Sequence, residues 1–315
     1  MKSVLYILKS LIVFLRPPDP SDMIGSASLQ PLLGCDAMLF IFRSRDYSIM
    51  KLDFCSLSSG SSGNATYIAA GDTRILIDAG LSGRTVTGAL EKIGVLPESL
   101  SAILVTHEHI DHIKGVGVLS RKFRIPVYAN ERTWENMART VGEIPVGLRR
   151  VFETENDFYV NDLGVRPIAV THDTVDPVAF RVFGGGRSVA VATDMGAVSK
   201  RVIKQLAGVD LLLMESNHDV EMLKRNERYS ASLKRRILGN RGHLSNDSCA
   251  IALMELYESG VRHALLGHLS QDNNTPELAM QTVTNALIDQ GLKPGRDIFL
   301  EMTWRDRPSG FYTLE

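Results

Sequence analysis

His107, His109, Asp111 and His112 fall within six residues, directly after the apolar run Ser101 to Val105. Imidazole and carboxylate are good ligands for zinc, manganese or iron. Histidines at i and i+2 can face one ion, and the aspartate and the next histidine can turn toward a second across a tight bend. The pattern is not the His-Glu-x-x-His of a zincin helix, because the fifth position counted from His107 is Asp111. Eight histidines occur in 315 residues, and three of them are packed here, which argues against a chance polar loop.

The surrounding elements must bring such a loop to a rim. The run Leu100 to Thr106 reads as a buried strand, and strand ends in layered α/β proteins are where functional loops sit. Leu52 to Leu57 reads as a first strand, followed by the small-residue turn Ser58 to Gly63. Residues 64–70 and 73–79 are β-branched-rich and separated by Gly71 and Asp72, a hairpin pattern. Helical stretches are predicted over 83–93, 114–123, 131–140, 198–206, 230–238, 245–258 and 276–290. Strands are predicted over 126–129, 179–183, 188–192, 210–214 and 263–266, and a hairpin over 158–169 around Asp162 to Gly164. Strands followed by alternating strands and helices, twice over, suit an α/β protein with two sheets face to face and helices outside, a four-layer αββα sandwich.

Four later polar residues each follow a predicted strand: His172, Asp194, Glu215 and His268. Any one alone reads equally well as a satisfied loop residue. Together with the histidine-rich loop they read as one constellation on a common rim. His243, between Gly242 and Leu244, joins Glu215 as a candidate proton donor, with a helix-terminal capping role as the alternative.

The His-x-His-x-Asp-His string after a strand resembles the signature of the metallo-β-lactamase-fold superfamily, and the resemblance runs from Met50 to the C-terminus. It implies that His107, His109 and His172 hold one divalent metal, that Asp111, His112 and His268 hold a second, and that Asp194 bridges both. It also implies two ions, zinc or manganese, a hydrolase or phosphodiesterase branch, and Asp111 orienting the hydroxide. An aspartate at position 194, where zinc β-lactamases often carry cysteine, argues against antibiotic hydrolysis. The tRNase Z family carries a glutamate–histidine pair in the order of Glu215 and His243. The strings Glu215 to His218, Gly242 to Asn246 and Gly267 to Asn274 are similar to the bacterial YycJ/WalJ-type family, regarded as metal-dependent 5′–3′ exonucleases acting on DNA. A thioesterase or cyclic phosphodiesterase of the same fold, and a tRNA 3′-processing endonuclease, are the alternatives.

Composition fits this picture. Hydrophobic residues make up 44% and charged residues 23%, ordinary for a globular chain. The net charge of −1 gives no global attraction for nucleic acid, so a polyanion must be met by a local patch. Lys234, Arg235, Arg236 and Arg241 lie in a basic stretch between Glu215 and His243, suited to a phosphate backbone or to a solvated helix face. The Ser58 to Gly63 turn could meet phosphate oxygens through backbone N–H groups or be a plain loop. Asn273 and Asn274 could reach substrate or cap a helix. Three cysteines, Cys35, Cys55 and Cys249, without a C-x-x-C pair suit a reducing compartment, and a cytoplasmic location is expected. The catalytic domain is expected to span residues 50–315. Residues 1–49 lack a sustained period and read as a disordered or spurious extension. Their apolar stretch Val4 to Leu15 is too short for a confident membrane span, though an anchor is the second reading.

Overall fold

The computed structural model describes residues 50–315; the expectations for residues 1–49 lie outside them. Two seven-stranded sheets stack face to face. In the first, strands run in the order β14-β1-β2-β3-β4-β5-β6, and in the second β13-β12-β11-β10-β9-β8-β7. The first holds β1 Leu52–Ser58, β2 Ala65–Ala70, β3 Thr73–Ile77, β4 Ala102–Leu104, β5 Val127–Ala129, β6 Arg149–Val151 and β14 Tyr312–Leu314. The second holds β7 Phe158–Val160, β8 Leu163–Ala169, β9 Val178–Gly184, β10 Arg187–Ala192, β11 Leu211–Glu215, β12 His263–Gly267 and β13 Phe299–Met302.

Alternation places one face of each strand inward. Leu52, Phe54, Ile68, Ile75, Ile77, Phe180, Val182 and Leu213 meet between the sheets, all with at most 1% of their surface exposed. Each such side chain contributes roughly 1.5–3 kcal/mol of burial. The outer faces are covered by helices. α1 Gly83–Lys92, α3 Val116–Phe123 and α4 Glu131–Val141 pack on the first sheet through Val86, Leu90, Leu119 and Met137. α5 Lys200–Leu206, α8 Asn246–Glu258 and α9 Pro276–Asp289 cover the second through Leu206, Leu253, Leu256 and Val283. This is the expected αββα sandwich.

Helix starts follow capping chemistry. Ser82, Asn130, Ser199, Ser230, Ser245 and Thr275 each accept a hydrogen bond from a first-turn N–H. The caps Ser199, Ser230 and Ser245 explain why three helices start later than the apolar period suggests.

Both sheets switch from antiparallel to parallel pairing partway across. β3, β4, β5 and β6 are parallel to one another, as are β10, β11, β12 and β13. Within each parallel set the C-terminal strand ends share one edge, and the loops leaving those edges carry most of the predicted ligands; His172 follows β8, outside the set but running in the same direction as β10. Several elements escaped the sequence reading. β6 is three exposed residues on an edge, without alternation. α2 Ile110–Ile113 is one turn and α6 Val220–Arg225 is six residues, both too short to show a period. β14 forms only by pairing with β1, Leu52 opposite Leu314, a contact between chain positions no local pattern connects. The strand before the motif is shorter than expected, because Thr106 leaves the sheet to bond Asp78.

No helix among the described residues is long and apolar enough to cross a membrane.

Candidate metal centre

Three strand-end residues carry positive φ: Asp78 at 60°, Asp194 at 59° and His268 at 55°. A side chain in this left-handed region costs on the order of 1–3 kcal/mol, so the surrounding contacts must hold it there. The turns at Asp194 and His268 aim a carboxylate and an imidazole off the sheet edge toward a common space, while Asp78 turns its carboxylate onto Thr106 and His112 behind that space.

That space gathers every expected ligand. Donor atoms of His107, His109 and His172 lie within 4.8 Å of one another, as do those of Asp111, His112 and His268. Asp194 lies between the two groups. Its Oδ2 is 3.2 Å from His112 Nε2, and its Oδ1 is 3.5 Å from His268 Nε2 and 3.7 Å from His172 Nε2. Asp111 Oδ2 is 3.7 Å from both His112 Nε2 and His268 Nε2. His109 Nδ1 faces His172 Nε2 at 3.3 Å.

Four of the five imidazoles have Nδ1 within hydrogen-bond reach of an acceptor, which fits a proton there, while His109 turns its Nδ1 inward. His107 Nδ1 donates to Thr106 Oγ1 at 2.9 Å, and Thr106 Oγ1 donates to Asp78 Oδ2 at 2.8 Å. His112 Nδ1 donates to Asp78 Oδ2 at 2.7 Å. His172 Nδ1 donates to the Gly242 carbonyl at 2.9 Å, and His268 Nδ1 to Glu215 Oε1 at 3.0 Å. The Nε2 lone pairs are thereby turned inward, the outer-shell arrangement metal-binding imidazoles need. His107 Nε2, His268 Nε2 and Asp194 Oδ2 are buried and make no hydrogen bond. Buried polar atoms without partners are costly, and these three all point into the shared space. Their chemistry, nitrogen and oxygen with net negative charge, fits divalent cations.

At two expected ligands burial opposes the protonated imidazole, but acidic neighbours favour it: Asp194 raises His112 well above its ordinary value and His268 to about 10, so a bound cation would have to displace those protons. Burial works against the charged form of Asp194, but His268 and His112 outweigh it and hold the carboxyl well below the usual range. Burial pushes the His107 imidazole well below its ordinary value, aided by neighbouring His112, so it stays neutral and able to ligate.

Glu215 has no exposed surface. Its Oε2 accepts the N–H groups of Met195 (2.8 Å) and Leu244 (3.3 Å), and its Oε1 accepts from His243 Nδ1 (2.7 Å) and His268 Nδ1 (3.0 Å). Burial opposes ionisation, but His243 and His268 bring the carboxyl down to about 2. With both oxygens taken by donors and no exposed surface, the Glu215 carboxylate is turned onto His243 and His268 rather than toward the cleft. The His243 side chain is 23% exposed and lines a cleft of about 180 Å³ with Ser61, Asp173, Asn217, Tyr229 and Arg236.

Sequence reasoning passed over Asp78, Thr106 and Asp173. Asp78 follows an apolar strand, as Asp194 does, but lies inside the run 73–79 that the sequence marks as one strand. Asp173 Oδ1 lies 3.3 Å from His172 Nε2, and its Oδ2 accepts from Arg236. The basic stretch divides. Lys234 and Arg235 stand on α7 Ala231–Leu238, Arg236 is tied to Asp173, and Arg241 donates to the carbonyls of His172 (3.1 Å) and Thr174 (3.3 Å). Arg241 thus holds the metal-side loop. In the Ser58 to Gly63 turn, Ser59 Oγ accepts the His268 N–H at 2.8 Å. Asn273 and Asn274 are buried and tie loops together: Asn226 donates to Asn273, and Asn274 donates to the Ser216 carbonyl.

Comparison with known proteins agrees with this geometry. Residues 73–269 match the family model described as beta-lactamase superfamily domain. The chain is 41% identical over 246 residues to the exodeoxyribonuclease YycJ of Bacillus anthracis, covering 78% of this chain and 93% of that protein. It is 42% identical over 243 residues to the exodeoxyribonuclease WalJ of Streptococcus pneumoniae serotype 2, covering 76% and 90%. The metallo-β-lactamase-fold protein YhfI of Bacillus subtilis superposes with a TM-score of 0.62 at 15% identity, covering 82% of this chain and 99% of that one. Human tRNase Z, short form, gives 0.55 at 18%, covering 82% and 98%. The chain belongs to the beta-lactamase superfamily of metal-dependent hydrolases, in the family that contains YycJ and WalJ.

Proposed function

We propose that the protein is a two-metal phosphodiesterase that degrades DNA from its 5′ end. One observation carries the reading. The inward Nε2 atoms and the Asp194 carboxylate converge on a space beside an open cleft, in a chain that matches named exodeoxyribonucleases over nine-tenths of their length.

His107, His109 and His172 would hold one ion, Asp111, His112 and His268 the other, and Asp194 would bridge them. Two such ions, zinc or manganese, activate a shared water and neutralise the oxygens of a phosphodiester. Asp111, whose side chain is 21% exposed, would orient the attacking water. His243 faces the cleft as general acid and gives its Nε2 proton to the leaving oxygen. Burial lowers its proton affinity, but Glu215 more than compensates and raises it above the ordinary value. Glu215 is the positioning residue, since one carboxylate fixes both His243 and His268. Lys234 and Arg235, on the helix whose Leu233 and Arg236 line the cleft, would meet the phosphate backbone.

Both cysteines among the described residues, Cys55 and Cys249, are free and buried, which supports a reducing, cytoplasmic setting.

The test is digestion of linear DNA labelled at either end, with manganese or zinc supplied. Early release of the 5′ label as a mononucleotide is expected. Release of the 3′ label first, or cutting of closed circular DNA, would refute exonuclease polarity.

A further inference from the structure

A second groove lies across the Ser58 to Gly63 turn from the catalytic cleft. Ser61 lines the cleft and its neighbour Ser62 lines the groove, which has a volume of about 570 Å³. Arg84 and Lys92 from α1 and Arg305 and Arg307 from the loop before β14 face it, against a single carboxylate, Asp306. None of the four cations makes an ion pair with another described residue. Arg305 donates to the carbonyl of Leu269, the residue after His268, at 2.8 Å, so the groove abuts the metal-side loop. Arg307 lies over the Trp304 ring at 4.2 Å, which presents its guanidinium on a firm base.

The floor of the groove adds an independent observation. Arg84, Gly88 and Lys92 stand at i, i+4 and i+8 of α1 and all line the groove. Gly88 lies inside the helix, where glycine is a poor helix former. A Cβ built there meets nothing within 4 Å, so the fold itself has no need of a bare backbone. A glycine with open space over it, flanked by two cations, suits a ligand that approaches the backbone closely.

We propose that this groove is a track for the DNA phosphodiester backbone beyond the scissile bond, with Arg84, Lys92 and Arg307 meeting phosphates. The proposal rests on the nuclease reading above. Four cations in a channel, on a chain whose net charge is −1, form the local positive field a polyanion requires. The track and the α7 cations then flank the metal centre on opposite sides of the Ser58 to Gly63 turn.

The experiment measures affinity of the full chain for a DNA of about thirty nucleotides against salt, and turnover of bis(p-nitrophenyl) phosphate, which reaches only the metals. Arg84→Gln with Lys92→Gln should weaken DNA binding roughly tenfold. It should also lower the log–log salt slope by about 0.7 (single strand) or 0.9 (duplex) for each phosphate no longer neutralised. Turnover of the small diester should not change. Gly88→Gln should raise the melting temperature, because glutamine is the better helix former, yet weaken DNA binding. That opposite pair of signs is not expected of a merely structural glycine. If the parent cleaves DNA while these variants keep its affinity and salt slope, the track is wrong and the nuclease reading stands. If the parent neither binds nor cleaves DNA, the nuclease reading fails and the track falls with it.

Discussion

Glu215 accepts a 2.7 Å hydrogen bond from His243 Nδ1 while the same oxygen accepts one from His268 Nδ1 at 3.0 Å. One carboxylate without solvent contact therefore couples the residue that faces the cleft to a residue of the candidate metal centre. His243→Ala should keep bound metal and slow DNA cleavage by roughly a hundred- to ten-thousand-fold. A nitrophenolate ester needs no protonated leaving group and should lose far less. Equal losses on both substrates would make His243 structural. Glu215→Gln removes the charge that raises His243. A protonated donor is lost as pH rises through its pKa, so the alkaline fall of kcat/KM should move to lower pH in this variant. An unmoved limb would remove His243 from the role.

Asp78 orients the first-sheet half of the centre without facing it. Its carboxylate accepts from His112 and from the Thr106 backbone and hydroxyl. Asp78→Ala should weaken metal binding by about 10–100-fold, the usual cost of losing such a partner. Metal retained after dialysis against graded chelator reads this out. Retention equal to the parent's would show that His112 needs no orienting partner.

The inter-sheet core should bear most of the stability. Phe180 is fully buried and meets the Phe152 ring edge-on at 5.6 Å. Phe180→Ala should cost about 3–5 kcal/mol in a denaturant melt. A loss below about 1 kcal/mol would mean the sheets repack around the cavity.

Much of the fold and the site is legible in the sequence because it is local. The His107 to His112 loop sits at the end of an apolar run, and the later ligands each follow another. Apolar periods locate most helices, while the serines that cap them shift three of the starts. Asp78 escapes because the apolar run continues one residue past it to Ala79, which hides the strand end. β14 escapes because its pairing with β1 is non-local. The division of the basic stretch is invisible for a related reason. Whether Arg241 meets phosphate or holds the carbonyls of His172 and Thr174 depends on which loop folds beside it.

We propose that residues 50–315 hold the catalytic machinery and that residues 1–49 contribute nothing to it. A chain beginning at Met50 should keep full activity and the same melting temperature. A drop of several degrees, or strict membrane retention of the full chain, would show that residues 1–49 matter.

Asp194 spans the proposed two-metal centre: its oxygens face His112 at 3.2 Å and both His268 and His172 within 3.7 Å. Elemental analysis of the purified chain and of Asp194→Asn, paired with DNA cleavage rates, tests it directly. Two divalent ions per chain are expected in the parent, with both metal content and rate reduced in the variant, because a neutral amide cannot offset two dications. Two ions and normal turnover in Asp194→Asn would contradict the assignment.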